Sequence, residues 1–187
     1  MPIPHSLSAR AALPLALLSL VLTGAIFGFF YAWTVSTMWG LDAADPRIAI
    51  AAMQAMNASV RNAAFAPVFF GTPFVLLFAA AAAMVADRRA AWLLAVAGVT
   101  YLVGGLILTA TINVPMNEAL GALPVPESID EAAAIWAGYS PRWQGYNQLR
   151  MVVSGVSLLL AGLALWRLGR AHRHHIVAAA RAGQALS

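Results

Sequence analysis

Three stretches of this chain carry no Asp, Glu, Lys or Arg: residues 11–41, 62–86 and 90–117. An α-helix rises about 1.5 Å per residue, so about 20 apolar residues cross the roughly 30 Å of hydrocarbon in a bilayer. Each stretch is long enough. In lipid only helices and closed barrels satisfy all their backbone N–H and C=O groups, and these stretches lack the period-two alternation of barrel strands. A fourth uncharged run, 151–166, reaches only about 24 Å and falls short. The helix that contains it must therefore begin earlier, near Asn147. The prediction is an all-α, four-helix transmembrane bundle forming a single integral membrane domain over 1–187. Its spans fall at about 13–39, 63–86, 91–114 and 147–167, followed by a basic tail, 168–187. The first span follows Arg10 as a secretion signal would, but it continues through Trp33 and Trp39 without a small-x-small cleavage site. It is read as a retained anchor.

The remaining charge sets the expected orientation. Lysine is absent, and Arg10, Arg88, Arg89, Arg167, Arg170, Arg173 and Arg181 flank the N-terminus, the second turn and the C-terminal tail. Asp42, Asp45, Glu118, Glu127, Asp130 and Glu131 fall in the first and third connections. The positive-inside rule then places both termini in the cytoplasm of a cell (inner) membrane. Topology accounts for the net charge of +4, so no nucleic-acid partner is expected; membrane lipid is, and a homo-oligomer is admitted. Without cysteine the chain has no disulfide, thiolate nucleophile or iron–sulfur ligand. His172, His174 and His175 form a weak metal pattern in the tail, because nothing near them adds a ligand. No histidine lies in a span, and no dinucleotide fingerprint follows a strand, so no cofactor is expected.

Along the chain, Gly24 and Gly28 form a G-x-x-x-G that suits close helix packing, and Tyr31, Trp33 and Trp39 suit an outer interfacial belt. Asp45 and Pro46 read as N-cap and first helical residue. The helix they start is expected to run straight into the second span, where Pro67 and Pro73 would bend it. A long outer loop, 118–142, should hold a short amphipathic helix with Ser128 and Glu131 in capping-box spacing.

Polar residues gather at one membrane level. Gln54, Asn57 and Arg61 share a helix face before span two. Asn113, Asn117 and Glu118 end span three around Pro115. Trp143, Tyr146, Asn147 and Arg150 form one stripe opening span four. Starting that span early draws Arg150 below the outer boundary, where an unpaired arginine costs on the order of 2.5 kcal/mol or more. Two arrangements meet this cost: Arg150 snorkels to the headgroups, or it turns inward and is met by the carboxamides. The second makes the mouth of the bundle a polar pocket for a small hydrophobic or aromatic ligand.

With these residues laid out, the chain resembles the anthrone oxygenase-like family of small four-helix membrane proteins. The pieces are GAIFGFFYAW in the first span, MQAMN followed by FAPVFFGTP, the N-x-P-x-N of NVPMN, and W-x-x-Y-N-x-L-R at 143–150, over about 30–165. The resemblance implies a monooxygenase-type activity, since fungal members oxidise polyketide anthrones to anthraquinones with molecular oxygen and no evident metal or flavin. It implicates Gln54, Asn57, Asn113, Pro115, Asn117, Trp143, Asn147 and Arg150. Catalysis would rest on Arg150, Asn113, Asn117 and Asn147 stabilising an enolate or peroxide anion, with Glu118 the nearest carboxylate for a base unless it sits among the headgroups. Gln54, Asn57, Arg61, Trp143 and Tyr146 would bind substrate. The competing readings are a non-catalytic membrane protein that binds a lipid, quinone or other small hydrophobe, and a structural subunit whose polar cluster pins helices together.

Overall fold

The computed structural model describes residues 7–184, with side chains described over 11–173; His174, His175 and Arg181 therefore lie outside the described side chains. The chain is all-helical through these residues: α1 (Leu7–Ala32), α2 (Met38–Asp42), α3 (Pro46–Ser59), α4 (Phe65–Ala83), α5 (Arg88–Tyr101), α6 (Val114–Gly121) and α7 (Ile129–Gln184). Wider π-helical turns at Trp33–Thr37 join α1 to α2, and two more at Leu102–Ile107 and Thr109–Asn113 join α5 to α6. Four continuous rods result, Ala11–Asp42, Phe65–Ala83, Arg88–Gly121 and Ile129–Arg173, each long and apolar enough to cross a membrane.

In the bundle α1 packs against α4 and α7, and α5 packs against the same two. The four rods thus close a ring with α1 opposite α5 and α4 opposite α7. Its core is rich in alanine, with Ala79, Ala83, Ala90, Ala97, Ala161 and Ala164 all buried around Leu76 and Leu94. In lipid no hydrophobic force drives helices together, so small side chains that let backbones approach are what hold the rods in contact. A second core forms a cap over one end: Met38, Ile50, Met53, Leu120, Trp136, Tyr139 and Trp143.

Several expectations are corrected in detail. α3 does not run into α4. The chain turns at residues 60–64, where Asn62 Oδ1 accepts the N–H groups of Ala64 and Phe65 at 2.9 Å and caps α4. The expected outer loop is mostly helix: α6 carries span three to Gly121, Ser128 Oγ caps α7 by accepting Glu131 N–H at 3.3 Å, and only residues 122–128 stay non-helical. α7 is then a single helix of 56 residues, roughly 84 Å long. Of the glycine pair, a Cβ on Gly24 would meet Leu158 Cδ1 at 3.7 Å, whereas one on Gly28 would meet nothing within 4 Å. The tight contact lies elsewhere, at Gly104, where a Cβ would come within 2.8 Å of Val153 Cγ2.

Proline's missing donor has a visible substitute. Pro73 cannot donate to the carbonyl of Phe69 four residues earlier. The hydroxyl of the buried Tyr101 donates to that carbonyl instead, at 3.2 Å. At the start of α3, Asp45 accepts Arg47 N–H at 2.9 Å and pairs with the Arg47 guanidinium at 2.6 Å. The side-chain hydrogen bond from Arg47, then its backbone N–H, pull the Asp45 carboxyl down to about 2.

Two predictions follow from this packing. Gly104→Val should destabilise the bundle by about 1–3 kcal/mol through overpacking, whereas Gly28→Val should have little effect; reversible unfolding in mixed micelles compares them. Because the Asp45 carboxyl falls from its ordinary 3.8 to about 2, its capping contribution is fully present above pH 3.8 and disappears as the pH drops through about 2. Amide protection in the first turn of α3, the exchange rate taken relative to the intrinsic rate at each pH, should fall over that window.

Candidate functional site

Between the alanine-rich core and the cap lies a cavity of about 570 Å³, in the size range of a small-molecule site. Its wall is aromatic: Phe29, Phe30 and Trp33 from α1 and the turn after it, Phe65, Phe69 and Phe70 from α4, and Trp143 from α7. The rings touch in sequence. Phe29 meets Phe65 with centroids 4.9 Å apart, Phe65 stacks on Phe69 at 5.3 Å, and Trp33 meets Trp143 at 5.0 Å. Such flat faces suit a planar aromatic guest, because rings prefer offset and edge contacts at these separations. Trp33 was expected in the interfacial belt. It faces the cavity instead, while Tyr31 and Trp39 are exposed.

Arg150 lines this cavity and is only 5% exposed. It neither snorkels nor pairs with a carboxylate: among the described residues no Asp or Glu oxygen lies within 4.0 Å of it. Its support is neutral. Nη2 donates to Asn147 Oδ1 at 3.2 Å and Nη1 to Thr109 Oγ1 at 3.3 Å. Asn147 is held in turn, its Nδ2 donating to Phe30 O at 3.1 Å and to Thr34 Oγ1 at 2.9 Å. The guanidinium carbon stands 4.6 Å from the Phe30 ring centroid and 5.3 Å from that of Trp143, each within cation–π range. Nε of Arg150 is buried with no partner. The result is a cation held by rings and neutral oxygens, with its charge uncompensated.

The π turns place two of these supports. Thr34 lies in Trp33–Thr37, and Thr109 opens Thr109–Asn113, just ahead of Pro115. Adding one residue to a turn re-aims the side chains around it, and π turns concentrate at functional sites for that reason.

A second network lies on the cap side of the cavity. Asn117 Nδ2 donates to Asn57 Oδ1 at 2.9 Å, and Asn117 Oδ1 accepts Tyr139 O–H at 2.8 Å and Trp143 Nε1–H at 3.0 Å. The rim carries Arg61 and Glu118, joined at 3.4 Å, with both side chains more than half exposed.

Seven of the ten sequence-derived site residues therefore line one cavity: Arg150, Asn117, Asn147, Glu118, Asn57, Arg61 and Trp143. Three do not. Gln54 donates to the carbonyls of Leu120 and Leu123 at 2.9 and 3.0 Å and ties down the end of α6. Tyr146 sits half-buried outside the lining. Asn113 is wholly buried, and neither atom of its carboxamide has a partner. The expected Asn113–Arg150 contact is made by Thr109, one helical turn earlier. Glu118, exposed and paired with Arg61, stands at the rim rather than beside the guanidinium.

Sequence reasoning also passed over Asp42. Its carboxylate accepts Trp136 Nε1–H at 2.9 Å, Ser140 Oγ–H at 2.6 Å and Gln144 Nε2–H at 2.8 Å, fastening α2 to α7 above the cavity. At the far end, Asp87 caps α5 and pairs with Arg167 at 3.1 Å. Partial burial pushes that carboxyl up, but the Ala90 N–H, the Arg167 guanidinium and the Arg89 N–H together hold it below its ordinary value.

The model of one protein family, described as anthrone oxygenase, matches residues 61–160, just over half of the chain. That stretch holds the turn before α4, all of α4, α5 and α6, and α7 as far as Leu160, including Thr109, Asn117, Trp143, Asn147 and Arg150. The aromatic motif of α1 and the MQAMN of α3 precede it. No curated protein and no solved structure matches the chain.

An unpartnered buried amide costs about 1–3 kcal/mol. Asn113→Leu, close in volume and with no polar group to satisfy, should therefore raise the unfolding midpoint in micelles. A lowered midpoint would mean that the Asn113 carboxamide is satisfied in the membrane.

Proposed function

The chain belongs to the anthrone oxygenase family, and from that premise we propose that its cavity binds an anthrone or hydroquinone-like aromatic and that the protein oxygenates it with O2. The observation that carries the reading is Arg150: a buried guanidinium without a carboxylate, set in a wall of aromatic rings. In a low-dielectric site such a cation favours whatever places negative charge beside it.

The reaction needs that preference. An anthrone methylene loses a proton to give an anion spread over two rings and the ketone oxygen. That anion passes one electron to O2, and the resulting aryloxyl radical and superoxide join at the methylene carbon as a peroxide anion. The peroxide takes up a proton. The second C–H proton then leaves as the O–O bond breaks, giving the quinone carbonyl and one water, so CH2 plus O2 becomes C=O plus H2O. Arg150, oriented by Asn147 and Thr109, stabilises the enolate oxygen and then the peroxide, the two points at which charge is concentrated. The electrons come from the substrate itself. By the positive-inside reading of Arg88 and Arg89, the cavity opens towards the outer face of the cell membrane, with both termini cytoplasmic and lipid as the surrounding partner.

One observation favours a second reading. The carboxylate in the cavity lining, Glu118, is at the exposed rim and paired with Arg61, which leaves no buried base beside the guanidinium. A site without a base suits reversible binding of a quinone or lipid.

Oxygen uptake by the purified protein separates the two. With a panel of anthrones and hydroquinones, uptake above the spontaneous rate is expected, falling at least 100-fold in Arg150→Ala, on the scale of losing one main charge-stabilising donor. No uptake from any member, with a lipid or quinone retained through purification, would sink the oxygenase reading in favour of the binding one. If Arg150→Ala only lowers stability, and uptake and ligand retention are unchanged, the residue is structural.

A further inference from the structure

The cavity is closed on most sides and open on one. Every lining residue from the α1 rod, α3 and α7 is buried or half-buried. The exposed ones are Arg61, Asn62 and Ala63 in the turn before α4, Phe70 in α4, and Glu118 in α6. All five stand along one seam, between α4 and the Arg88–Gly121 rod. Lower down, this seam is shut: a Cβ on Gly98 would meet Leu77 Cγ at 3.0 Å, and Tyr101 O–H reaches Phe69 O at 3.2 Å. Beyond Tyr101 the rod enters its two π turns. From there on, among the described residues, one hydrogen-bonded contact crosses the seam, Arg61 Nη2 to Glu118 Oε1 at 3.4 Å.

The length of α4 fixes where this mouth lies in a membrane. Its 19 residues rise roughly 28 Å, about the thickness of the hydrocarbon, so α4 has no slack and both its ends sit at the boundaries. Phe70, five residues in from Phe65, is then roughly 7–8 Å inside the acyl-chain layer. Arg61 precedes α4 by four residues and meets Glu118 among the headgroups. Phe70 lines the cavity and yet is 54% exposed, so one side of it faces the interior and the other the lipid chains. Phe74 and Phe78, at the next positions of the same face, are also exposed but do not line the cavity.

We infer that the cavity is loaded sideways from the bilayer: between α4 and the Arg88–Gly121 rod it presents an interface to the acyl chains of the leaflet on the cap side. Phe70 is the movable part of that interface, and the Arg61–Glu118 pair is a strap across its headgroup edge. The Phe70 ring rests edge-on against Phe69 with centroids 5.2 Å apart, and entry requires it to give up that contact. Water meets the strap and the turn, whereas a guest dissolved in lipid meets Phe70. The route goes beyond the proposed function, because it holds for any guest that partitions into the chains.

The chain has no cysteine, so an introduced one is the sole thiol. Thr109→Cys, close in shape, places it deep in the cavity beside Arg150, whose charge favours the reactive thiolate. In lipid nanodiscs it is treated with two reagents of similar size. Propyl methanethiosulfonate is neutral and lipid-soluble; 2-sulfonatoethyl methanethiosulfonate is charged and confined to water. The mass added to the intact protein gives each rate, divided by that of Ala122→Cys in the exposed 122–128 connection. The neutral reagent should be favoured about 50-fold or more, the scale on which hydrocarbon rejects a charge. A mouth open to water would reverse this, since Arg150 attracts the sulfonate. Phe70→Ala, added to Thr109→Cys, should speed the neutral reagent about 10-fold, the scale of one ring contact, whereas Phe78→Ala leaves it unchanged. Arg61→Gln should speed it by up to about 5-fold, as expected for an exposed ion pair. Added salt should do the same while Arg61 is present and nothing further in Arg61→Gln.

Comparable normalised rates for the two reagents overturn the inference, as does a Phe70→Ala rate equal to that of Phe78→Ala. Labelling by neither reagent also overturns it, once Val114→Cys, a second lining position, behaves alike. Val114→Cys decides the matter if Thr109→Cys does not fold. An unchanged rate in Arg61→Gln overturns the strap. Labelling requires neither guest nor O2, so its failure leaves the proposed oxygenation standing, and absence of oxygen uptake leaves the route standing.

Discussion

A positive charge kept inside a hydrocarbon-level bundle without a counter-charge is the constraint around which this molecule is arranged. Such a charge is costly, and the protein offsets part of that cost without neutralising it. Two ring faces, one threonine hydroxyl and one carboxamide hold the guanidinium of Arg150. Had a carboxylate been supplied there, the pair would have been inert towards an incoming anion. The neutral shell keeps the field of the cation available to whatever enters the cavity, which is the condition for stabilising charge that develops only during a reaction.

Holding that shell requires departures from regular helix. Asn147 needs Thr34 and the Phe30 carbonyl on α1, and Arg150 needs Thr109 on the opposite rod. Both threonines sit in π turns; Pro115 follows Thr109 on the same rod, and Pro73 lies in α4, which packs against α1 and α5. Each irregularity disturbs the backbone ladder in a medium with no water to repair it. Tyr101, donating to the carbonyl that Pro73 leaves bare, shows how the repair is made from a neighbouring rod. The polar side chains of this bundle therefore do two jobs, completing backbone hydrogen bonding and shaping the site.

Much of this is legible in the sequence because lipid imposes simple rules. Runs without charge identify four spans, and the shortness of 151–166 draws Arg150 below the boundary, leaving snorkelling and an inward turn both open; the structure has it inward. The carboxamides Asn57, Asn117 and Asn147 could be assembled because helix ends at one end of the bundle carry them. What could not be read is direction. Asn113 and Thr109 are one turn apart on the same rod, and only the π turn between them decides which one reaches Arg150. The aromatic wall was hidden for a related reason: among so many apolar residues, Phe29, Phe65 and Phe69 look the same as lipid-facing ones. Trp33 was mistaken for a headgroup anchor because tryptophan near a span end usually is one. Asp42 reads as loop charge until α7 is seen to continue past it as helix.

The unbroken length of α7 has a mechanical meaning. Trp136 in the cap and Arg150 in the cavity lie fourteen residues apart on one helix, roughly 21 Å at about 1.5 Å per residue, with Pro141 between them. Pro141 removes one rung of the backbone ladder between the two, and Asp42 binds the helix on both sides of it, at Trp136 and Ser140 before the proline and at Gln144 after it. One carboxylate from the turn of a neighbouring rod thus splints α7 across its proline and keeps the cap in register with the guanidinium.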